Sequence, residues 1–362
     1  MVTVIKNVVV VGGSYVGIEL AAILPTGYRV LLVEPHSHFH HLFAFVSTSP
    51  RRITNRKPRF AVLPSHEHKA FIPYRVFENN LNAVVRAKAL EVHPDHVVLD
   101  RSWEGSTQLP FSYLAIATGT RLTPPGTMVS EDKLPSVKYF QEYQNRVIAA
   151  SSIVIIGGGA VGVQMATDLK ELYPSKKVTL VQSRDRVMPK FHPKFNELIM
   201  ERFAELGVDV ITGNRVVVPE GGFPSDGSTF AVKLKDGREI ETQLVIPATG
   251  QSANNELVRT LPDQINPENG FIRVQPTLQL KDYPNIFAVG DIADTGAHKA
   301  ARPGMAQAAA VAKNIRSLID GNKPTEKYTV SPAGIHLTLG LNIVFRNPAA
   351  EGEEPSFTWR DE

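Results

Sequence analysis

The histidines His36, His38, His40 and His41 fall within six consecutive positions of the chain. Histidine is the commonest metal ligand in proteins, so a cluster of this density raises the hypothesis of a metal site. The same imidazoles could instead contact a bound cofactor or pack within a loop. Which of these applies depends on the elements that position the cluster.

Those elements come from a pattern that occurs twice. One copy reads NVVVVGGSYVGIELAAIL followed by YRVLLVEP, and the other reads SIVIIGGGAVGVQMATDLKELYP followed by KKVTLVQS. Each copy is typical of a buried strand, a glycine-rich turn, a helix and a second apolar strand. The repeated βαβ pattern predicts an α/β fold with two Rossmann-like dinucleotide-binding domains.

The second copy carries the complete G-x-G-x-x-G pattern at Gly157, Gly159 and Gly162. The first glycine makes the tight turn, the second lets the backbone approach a pyrophosphate, and the third lets helix and strand pack closely. The N-terminus of the helix adds amides and a positive dipole end for the phosphates. The alternative, a glycine turn that serves packing only, is much less favoured because the pattern occurs twice between a strand and a helix.

The first copy keeps Gly12 and Gly17, but Ser14 replaces the middle glycine and Gly13 stands beside it. Glu34 follows 17 residues after Gly17, at the end of the second strand. An acid at this position accepts hydrogen bonds from the ribose hydroxyls of a dinucleotide and repels a 2′-phosphate. The first copy is therefore predicted to bind an adenine dinucleotide without a 2′-phosphate.

The histidine cluster follows Glu34 on the loop that leaves this ribose position, rather than on a helix. We expect no metal site there. Loop and surface packing is the favoured interpretation, and direct contact with the cofactor or acceptor stays open.

The equivalent strand end of the second copy reads Gln182-Ser183-Arg184 and has no acid. Arg184 is close enough in sequence to meet a 2′-phosphate, which favours tolerance of NADPH or a preference for it. An arginine in a solvated turn is an equally supported alternative.

Composition excludes several function classes. The chain of 362 residues has no cysteine, which removes disulfides, thiolate metal sites and thiol catalysis. A net charge of +3 from 39 basic and 36 acidic residues, without a concentrated basic run, gives no reason to expect a nucleic-acid partner. No apolar run approaches the roughly 18 residues of a spanning helix. We expect a cytoplasmic protein, with mitochondrial or peripheral-membrane association left open.

Further motifs carry a family resemblance. FSYLAIATG is matched by QLVIPATG, and YPNIFAVGDIAD resembles the second fingerprint of FAD-binding proteins. In this order they resemble the glutathione-reductase-like two-dinucleotide flavoproteins. LKELYPSKKVTLVQSRDRVMP, GDIADTGAHKAARPGMAQAAAVAKNI and HLTLGLNIVFRNP are most similar to the apoptosis-inducing-factor-like and ferroptosis-suppressor-like branch, in its fungal form.

The resemblance implies FAD and either NADH or NADPH as cofactors, and it implies binding residues by their motif positions. Those for FAD are Gly12, Gly13, Ser14, Gly17, Glu34, Arg51, Arg52, Val85, Thr118, Gly119, Gly290, Asp291 and Ala300. Those for the nicotinamide cofactor are Gly157, Gly159, Gly162, Ser183, Arg184, Thr249 and Gly250.

Two residues are candidates for a part in catalysis. Lys299 is expected to lie beside the flavin ring, where a cation stabilises added negative charge; an exposed lysine at a helix start is the alternative. Gln164 stands where many relatives have a glutamate, near the expected nicotinamide. Its neutral amide can donate a hydrogen bond but cannot stabilise positive charge.

The expected domains are residues 1–122 with 251–329 for FAD, 123–250 for NAD(P)H, and a short C-terminal segment 330–362. The resemblance implies an NAD(P)H oxidoreductase that passes electrons to a quinone-type acceptor. Oxygen or an aromatic substrate is the next acceptor class, and a homodimer stays open. The alternatives are a flavin-dependent tailoring enzyme of secondary metabolism and a cofactor-dependent redox-signalling or cell-death protein.

Overall fold

The structure is a computed structural model that describes residues 6–24, 27–41, 67–79 and 81–360. The strands are β1 Asn7–Val11, β2 Arg29–Val33, β3 Phe39–His40, β4 Phe71–Ile72, β5 Ala83–Val85, β6 Ala89–Val92, β7 His96–Trp103, β8 Ser106–Pro110, β9 Tyr113–Ile116, β10 Thr120–Leu122, β11 Ser152–Ile156, β12 Lys177–Val181, β13 Asp209–Ile211, β14 Phe230–Lys233, β15 Glu239–Thr242, β16 Leu244–Pro247, β17 Gln251–Ala253, β18 Ile272–Arg273, β19 Gln279–Leu280, β20 Tyr283–Ala288, β21 Ala293–Asp294, β22 Gly334–Leu339, β23 Leu341–Arg346 and β24 Ser356–Arg360. The helices are α1 Tyr15–Ile23, α2 Lys133–Ala149, α3 Ala160–Leu172, α4 Pro193–Leu206 and α5 Ala301–Ile319.

The described residues form two compact units. The first takes its residues from Met1–His40, Ile72–Arg121 and Ser252–Ser331, and the second takes them from His41–Phe71, Leu122–Gln251 and Pro332–Glu362. The division of the chain by cofactor remains a prediction from the sequence.

The first unit is built on a sheet in the order β19-β20-β9-β1-β2-β5, in which β19 is antiparallel to β20 and the other neighbours are parallel. The central strand β1 is covered on both faces: Val9 and Val11 join one apolar cluster, and Val8 and Val10 join another. A strand buried on both faces needs a continuous apolar run, which explains the unbroken valines of the sequence. A three-stranded antiparallel sheet, β6-β7-β8, completes this unit.

Helices α1 and α5 cover one face of this sheet. The apolar face of α5 buries Ala308, Val311 and Ile315. Its first turn contains Gly304, where an added Cβ would lie 2.4 Å from a methyl carbon of Val16 in α1. Only a glycine permits this approach, so the N-terminal ends of α1 and α5 lie side by side.

The second unit contains the parallel sheet β13-β12-β11-β16. Residues on one face of β11 and β12 pack with α3 and α4, and residues on the other face pack with the hairpin β14-β15. The predicted α/β class with two Rossmann-like sheets is confirmed.

The antiparallel sheet β22-β23-β24 also belongs to the second unit. Phe345 of β23 is fully buried, and its ring stacks on that of Phe195 in α4 with a centroid distance of 4.4 Å. The Arg202 Nε–H of α4 donates to the Leu339 carbonyl at 2.7 Å. Aromatic packing and a charged hydrogen bond thus fix the C-terminal sheet to the helical layer.

Candidate cofactor-binding site

The first glycine-rich turn follows β1 and packs against the residues that follow β9, which neighbours β1 in the sheet. Gly12 has φ 109°, and an added Cβ would lie 2.4 Å from the Ala117 carbonyl oxygen. A Cβ on Gly17 would lie 1.8 Å from the Gly12 carbonyl oxygen. These two positions require glycine, and together they bring the N-terminus of α1 to the carboxyl ends of the strands, where an anion fits.

Glu34 closes this turn from the end of β2. The Gly13 N–H donates to Glu34 Oε2 at 2.6 Å, and the His36 N–H donates to Oε1 at 3.0 Å. His36 Nδ1 also bonds Oε1. Burial of Glu34 raises its pKa, but the hydrogen bonds from His36 and Gly13 outweigh that effect, so the pKa lies below its usual value. A carboxylate anion therefore stands at the position predicted to face the ribose.

Ser14 and Tyr74 complete the cradle. Ser14 is exposed at the N-cap of α1, and its hydroxyl makes no capping hydrogen bond to the helix. The Tyr74 hydroxyl donates to the Gly13 carbonyl at 2.9 Å. The glycine pair, the open helix N-terminus and the carboxylate fit the pyrophosphate and ribose of FAD.

Val85 is among the residues that the resemblance assigns to FAD binding. It lies in β5 beside Glu34, and its carbonyl oxygen accepts from the Glu34 N–H at 3.0 Å and from the Ala87 N–H at 2.9 Å. The structure thus brings Val85 to the ribose end of the cradle. Arg51 and Arg52 lie outside the described residues.

Thr118 and Gly119 lie in the turn after β9, and Asn254 holds this turn. The Thr118 hydroxyl donates to the Asn254 carbonyl at 2.7 Å, and the Asn254 side-chain amide donates to the Thr118 carbonyl at 2.8 Å. Asn254 has no motif signal in the sequence, since it lies 136 residues from Thr118.

Gly290, Asp291, Lys299 and Ala300 line one small pocket at the start of α5, together with Gln307. The Gly290 N–H donates to Gln307 Oε1 at 2.7 Å. Burial raises the pKa of Asp291 to about 6, although Lys299 and a hydrogen bond from the Ala300 N–H act to lower it. The structure therefore brings these predicted residues together in the first unit, at the N-terminal end of α5.

Lys299 is engaged within this pocket region. Its ammonium donates to the Ala293 carbonyl at 2.8 Å and lies 3.8 Å from the ring centroid of Phe271. Both contacts hold the positive charge close to Asp291. The protein thus holds the ammonium group in place, and its electrostatic role beside the flavin stays a prediction.

The second glycine-rich turn repeats the first. Gly157 has φ 112°, and its Cβ would lie 2.3 Å from the Ala248 carbonyl oxygen. A Cβ on Gly162 would lie 1.9 Å from the Gly157 carbonyl oxygen. Around Gly159 an added Cβ would meet nothing within 4 Å. The middle position therefore borders open space at the N-terminus of α3, which fits a pyrophosphate.

Gln182 occupies in the second unit the place of Glu34 in the first. It follows the last residue of β12, and its Oε1 accepts from the Gly158 N–H at 3.3 Å and from the Ser183 N–H at 3.1 Å. Its Nε2 donates to the Arg186 carbonyl at 3.1 Å. Gln182 was not among the predicted binding residues, although its position after the second strand was a signal that could have identified it.

The predicted Ser183 and Arg184 follow Gln182, and both are exposed. In the described part of the chain the Arg184 guanidinium makes no hydrogen bond or ion pair. Thr249 and Gly250 are also exposed, in the turn after β16, and Gly250 has φ 111°. These residues bring hydroxyl, backbone and cationic groups to the carboxyl ends of the second sheet.

Gln164 lies in α3 and is only 2% exposed. No hydrogen-bond partner for its Nε2 occurs among the described residues. A buried amide without a partner is costly, so a ligand acceptor would improve its position.

The histidine cluster contacts Glu34. The rings of His36 and His40 lie 4.0 Å apart between centroids. Burial, together with the charge of His36, lowers the pKa of His40 to about 3, so His40 is neutral. Within the described residues no group of three or more His, Cys, Asp or Glu is arranged to hold a metal.

Two glycine cradles on separate parallel sheets are typical of proteins that bind two dinucleotides. The sequence profile described as Pyridine nucleotide-disulphide oxidoreductase matches residues 47–312. The chain belongs to this family. It is therefore a flavin-dependent oxidoreductase that uses a pyridine nucleotide. Across the described residues, no helix has the length and apolar character needed to cross a membrane.

Curated relatives agree with this assignment, and a solved structure agrees with the fold. The chain is 35% identical over 374 residues to Fe-regulated protein 8 of Mycosarcoma maydis, covering 95% of this chain and 89% of that protein. It is 29% identical over 343 residues to ferroptosis suppressor protein 1 of Homo sapiens, covering 93% and 87%. The fold is similar to the sulfide:quinone oxidoreductase of Aquifex aeolicus, with TM-score 0.73, 21% identity and coverage of 98% and 87%. The predicted membership of this superfamily is confirmed.

Proposed function

We propose that this protein is an FAD-dependent NAD(P)H oxidoreductase that delivers electrons to a quinone-type acceptor. The observation that supports the proposal is the pair of matched cradles: the carboxylate of Glu34 closes the first, and the neutral amide of Gln182 closes the second. The first cradle fits a dinucleotide without a 2′-phosphate. The second fits a dinucleotide whose adenosine ribose carries either a hydroxyl or a phosphate at the 2′ position.

The first unit would hold FAD through the cradle at Gly12, Gly13 and Gly17 and through Glu34. Asp291, in the pocket at the start of α5, offers a carboxyl group to sugar-alcohol hydroxyls, and Lys299 holds a positive charge beside it. When bound, FAD supplies the redox chemistry, accepting a hydride from the reduced nicotinamide and releasing electrons to the acceptor.

The second unit would hold the pyridine nucleotide. The amides at the N-terminus of α3 meet the pyrophosphate where Gly159 leaves space. Gln164 offers an unused N–H donor in the same helix. Because Gln182 carries no charge and Arg184 is exposed, the ribose position accepts a 2′-phosphate, so we propose that NADPH is a substrate.

The acceptor class follows from the composition and the resemblance. With no cysteine in the chain, no dithiol relay within the protein can reduce a disulfide substrate. A quinone takes electrons from a reduced flavin without such a relay, and it is the acceptor class implied by the resemblance to the apoptosis-inducing-factor-like branch.

The test is an anaerobic titration of purified protein with NADPH and separately with NADH, following the visible flavin absorbance in a stopped-flow instrument. We expect rapid bleaching by NADPH and recovery on adding a short-chain quinone. Bleaching without recovery would refute the quinone assignment, and a yellow protein that neither nucleotide bleaches would refute the reductase assignment.

A further inference from the structure

The hydrogen-bond capacity of Glu34 is nearly filled by the protein itself. An ionised carboxylate offers about four lone-pair positions to donors. One position on Oε2 is taken by the Gly13 N–H at 2.6 Å. The His36 backbone N–H takes one on Oε1 at 3.0 Å, and the His36 ring Nδ1 takes the other. One position, on Oε2, is left.

A ribose presents two neighbouring hydroxyl donors, so binding both to Glu34 needs two free positions on the carboxylate. The backbone N–H bonds of Gly13 and His36 are fixed by the fold. The imidazole of His36 is the group that can leave, since rotation about its side-chain bonds moves it without moving the chain, and about a third of this side chain (34%) is exposed.

The titratable and charged groups that face His36 are His38, His40, Tyr74 and Arg86. The ring of His40 is tilted against that of His36, with 4.0 Å between centroids, and His40 is kept neutral by burial, with its pKa lowered to about 3. Burial and the charge of Glu34 raise the pKa of Tyr74. His38 lies against Ser37, with 3.0 Å between Nδ1 and Oγ, and the exposed Arg86 follows β5.

We propose that His36 is a positioning residue for Glu34: its ring occupies the carboxylate in competition with the adenosine ribose of FAD, and protonation of the ring strengthens this competition. A charge-assisted hydrogen bond between imidazolium and carboxylate is roughly twice as strong as a neutral one. FAD is therefore held less tightly when the ring carries its second proton, that is, toward acid pH. This inference rests on the proposed assignment of the first unit to FAD.

The test measures equilibrium FAD binding to the apoprotein by quenching of flavin fluorescence, between about pH 5 and about pH 8. For the natural sequence we expect the dissociation constant to increase about tenfold toward the acid end, which is a difference of about 1.4 kcal/mol. His36→Ala should bind FAD more tightly at the acid end, and its dissociation constant should depend less on pH than that of the natural sequence; the dependence that Asp291 contributes, with its pKa of about 6, is common to both proteins. Calorimetry in two buffers should show more proton release on FAD binding by the natural sequence than by His36→Ala.

The control variant is His93→Ala. His93 also pairs with a glutamate, with 3.0 Å between its Nε2 and Glu91 Oε2, but it lies in the turn after β6 of the same unit. This variant should keep the pH profile of the natural sequence. A FAD analogue without the adenosine 2′-hydroxyl offers one ribose donor, for which the remaining position suffices, so its binding to the natural sequence should depend less on pH than that of FAD.

A pH profile of His36→Ala that matches that of the natural sequence would overturn the proposal. Weaker FAD binding by this variant at every pH would also overturn it, because His36 would then support Glu34 rather than compete with the ribose. A wrong assignment of the first unit to FAD would give a different result. If neither the natural sequence nor any variant binds FAD at any pH, the first unit is not a flavin site, and the proposal about His36 is then wrong as well.

Discussion

Asp291 is a carboxyl group that the fold buries beside Gly290 and Lys299. Because burial raises its pKa from 3.8 to about 6, the folded apoprotein binds this proton more tightly than the unfolded chain does. Its contribution to stability is therefore present below about pH 4 and is lost as the pH rises through about 6, an effect of up to about 3 kcal/mol.

Asp291→Asn should remove that dependence. We expect the apoprotein of natural sequence to lose stability relative to Asp291→Asn between about pH 4 and about pH 6.5, and to run parallel to it at higher pH, as measured by thermal unfolding of both proteins side by side. The comparison cancels the titration of all other groups. Parallel curves for the two proteins would show that Asp291 keeps an ordinary pKa.

We expect Gln182 to set which pyridine nucleotide the second cradle accepts. Gln182→Glu restores an acid beside the Gly158 N–H, as Glu34 does beside Gly13. A carboxylate there repels a 2′-phosphate and accepts from a ribose hydroxyl. We expect the ratio of kcat/KM for NADPH over NADH to fall about tenfold or more, which corresponds to about 1.4 kcal/mol. The matched control is Gln279→Glu, a buried glutamine in the first unit, which should leave the ratio unchanged.

The sequence predicts the residues that stand at fixed positions of a strand–turn–helix motif, such as Glu34 and the glycines. Tyr74, Gln307 and Asn254 hold no fixed position in such a motif, and they bond to partners 61, 17 and 136 positions away. Which side chain meets a turn over such separations is decided by how the sheet and helices pack.

In each strand–turn–helix element, a glycine of the helix stands where the helix approaches the turn most closely. In Gly162→Ala the new Cβ would lie 1.9 Å from the Gly157 carbonyl oxygen. The turn must open, and we expect a loss of stability of about 2 kcal/mol or more. Chemical denaturation of the apoprotein measures this loss.

Gly159→Ala is the matched control in the same turn. Its Cβ meets no atom within 4 Å and its φ is −82°, so we expect stability to change by less than about 0.5 kcal/mol. The methyl group would instead occupy the space proposed for the pyrophosphate and weaken binding of NADPH. Equal stability losses in the two variants would contradict the assigned roles.

The parallel sheets were predictable because their strands are continuous apolar runs with glycine turns after them. The C-terminal strands β22 and β23 were not placed by the sequence. The apolar residues of the stretch HLTLGLNIVF could pack against any of several elements. Such a pattern indicates that the strands are buried, but it does not identify the element that covers them. The partner is α3 and α4 of the second unit, through contacts such as Phe345 with Phe195.

The C-terminal sheet stabilises the second unit as a whole. Phe345→Ala removes a fully buried ring, and we expect unfolding of this unit to become easier by about 3–5 kcal/mol. The chain has two tryptophans, Trp103 in the first unit and Trp359 in β24. A Trp103→Phe background therefore lets denaturation followed by fluorescence report on the second unit alone.

Phe357, which is 40% exposed in β24, provides the control. Phe357→Ala should cost about 1 kcal/mol or less, since surface truncations have small effects. If Phe345→Ala costs no more than this control, the C-terminal sheet does not share the cooperative unfolding of the second unit.

The two cradles differ in charge at one equivalent position, Glu34 in one and Gln182 in the other. FAD, NADH and NADPH all end in an adenosine, and in NADPH this adenosine carries a 2′-phosphate. If the first cradle binds FAD as proposed, the anion at Glu34 repels that phosphate, so NADPH would not block flavin loading there. Assembly of the holoprotein would in this respect be self-sorting, and Glu34→Gln would leave a newly made chain prone to binding the wrong nucleotide.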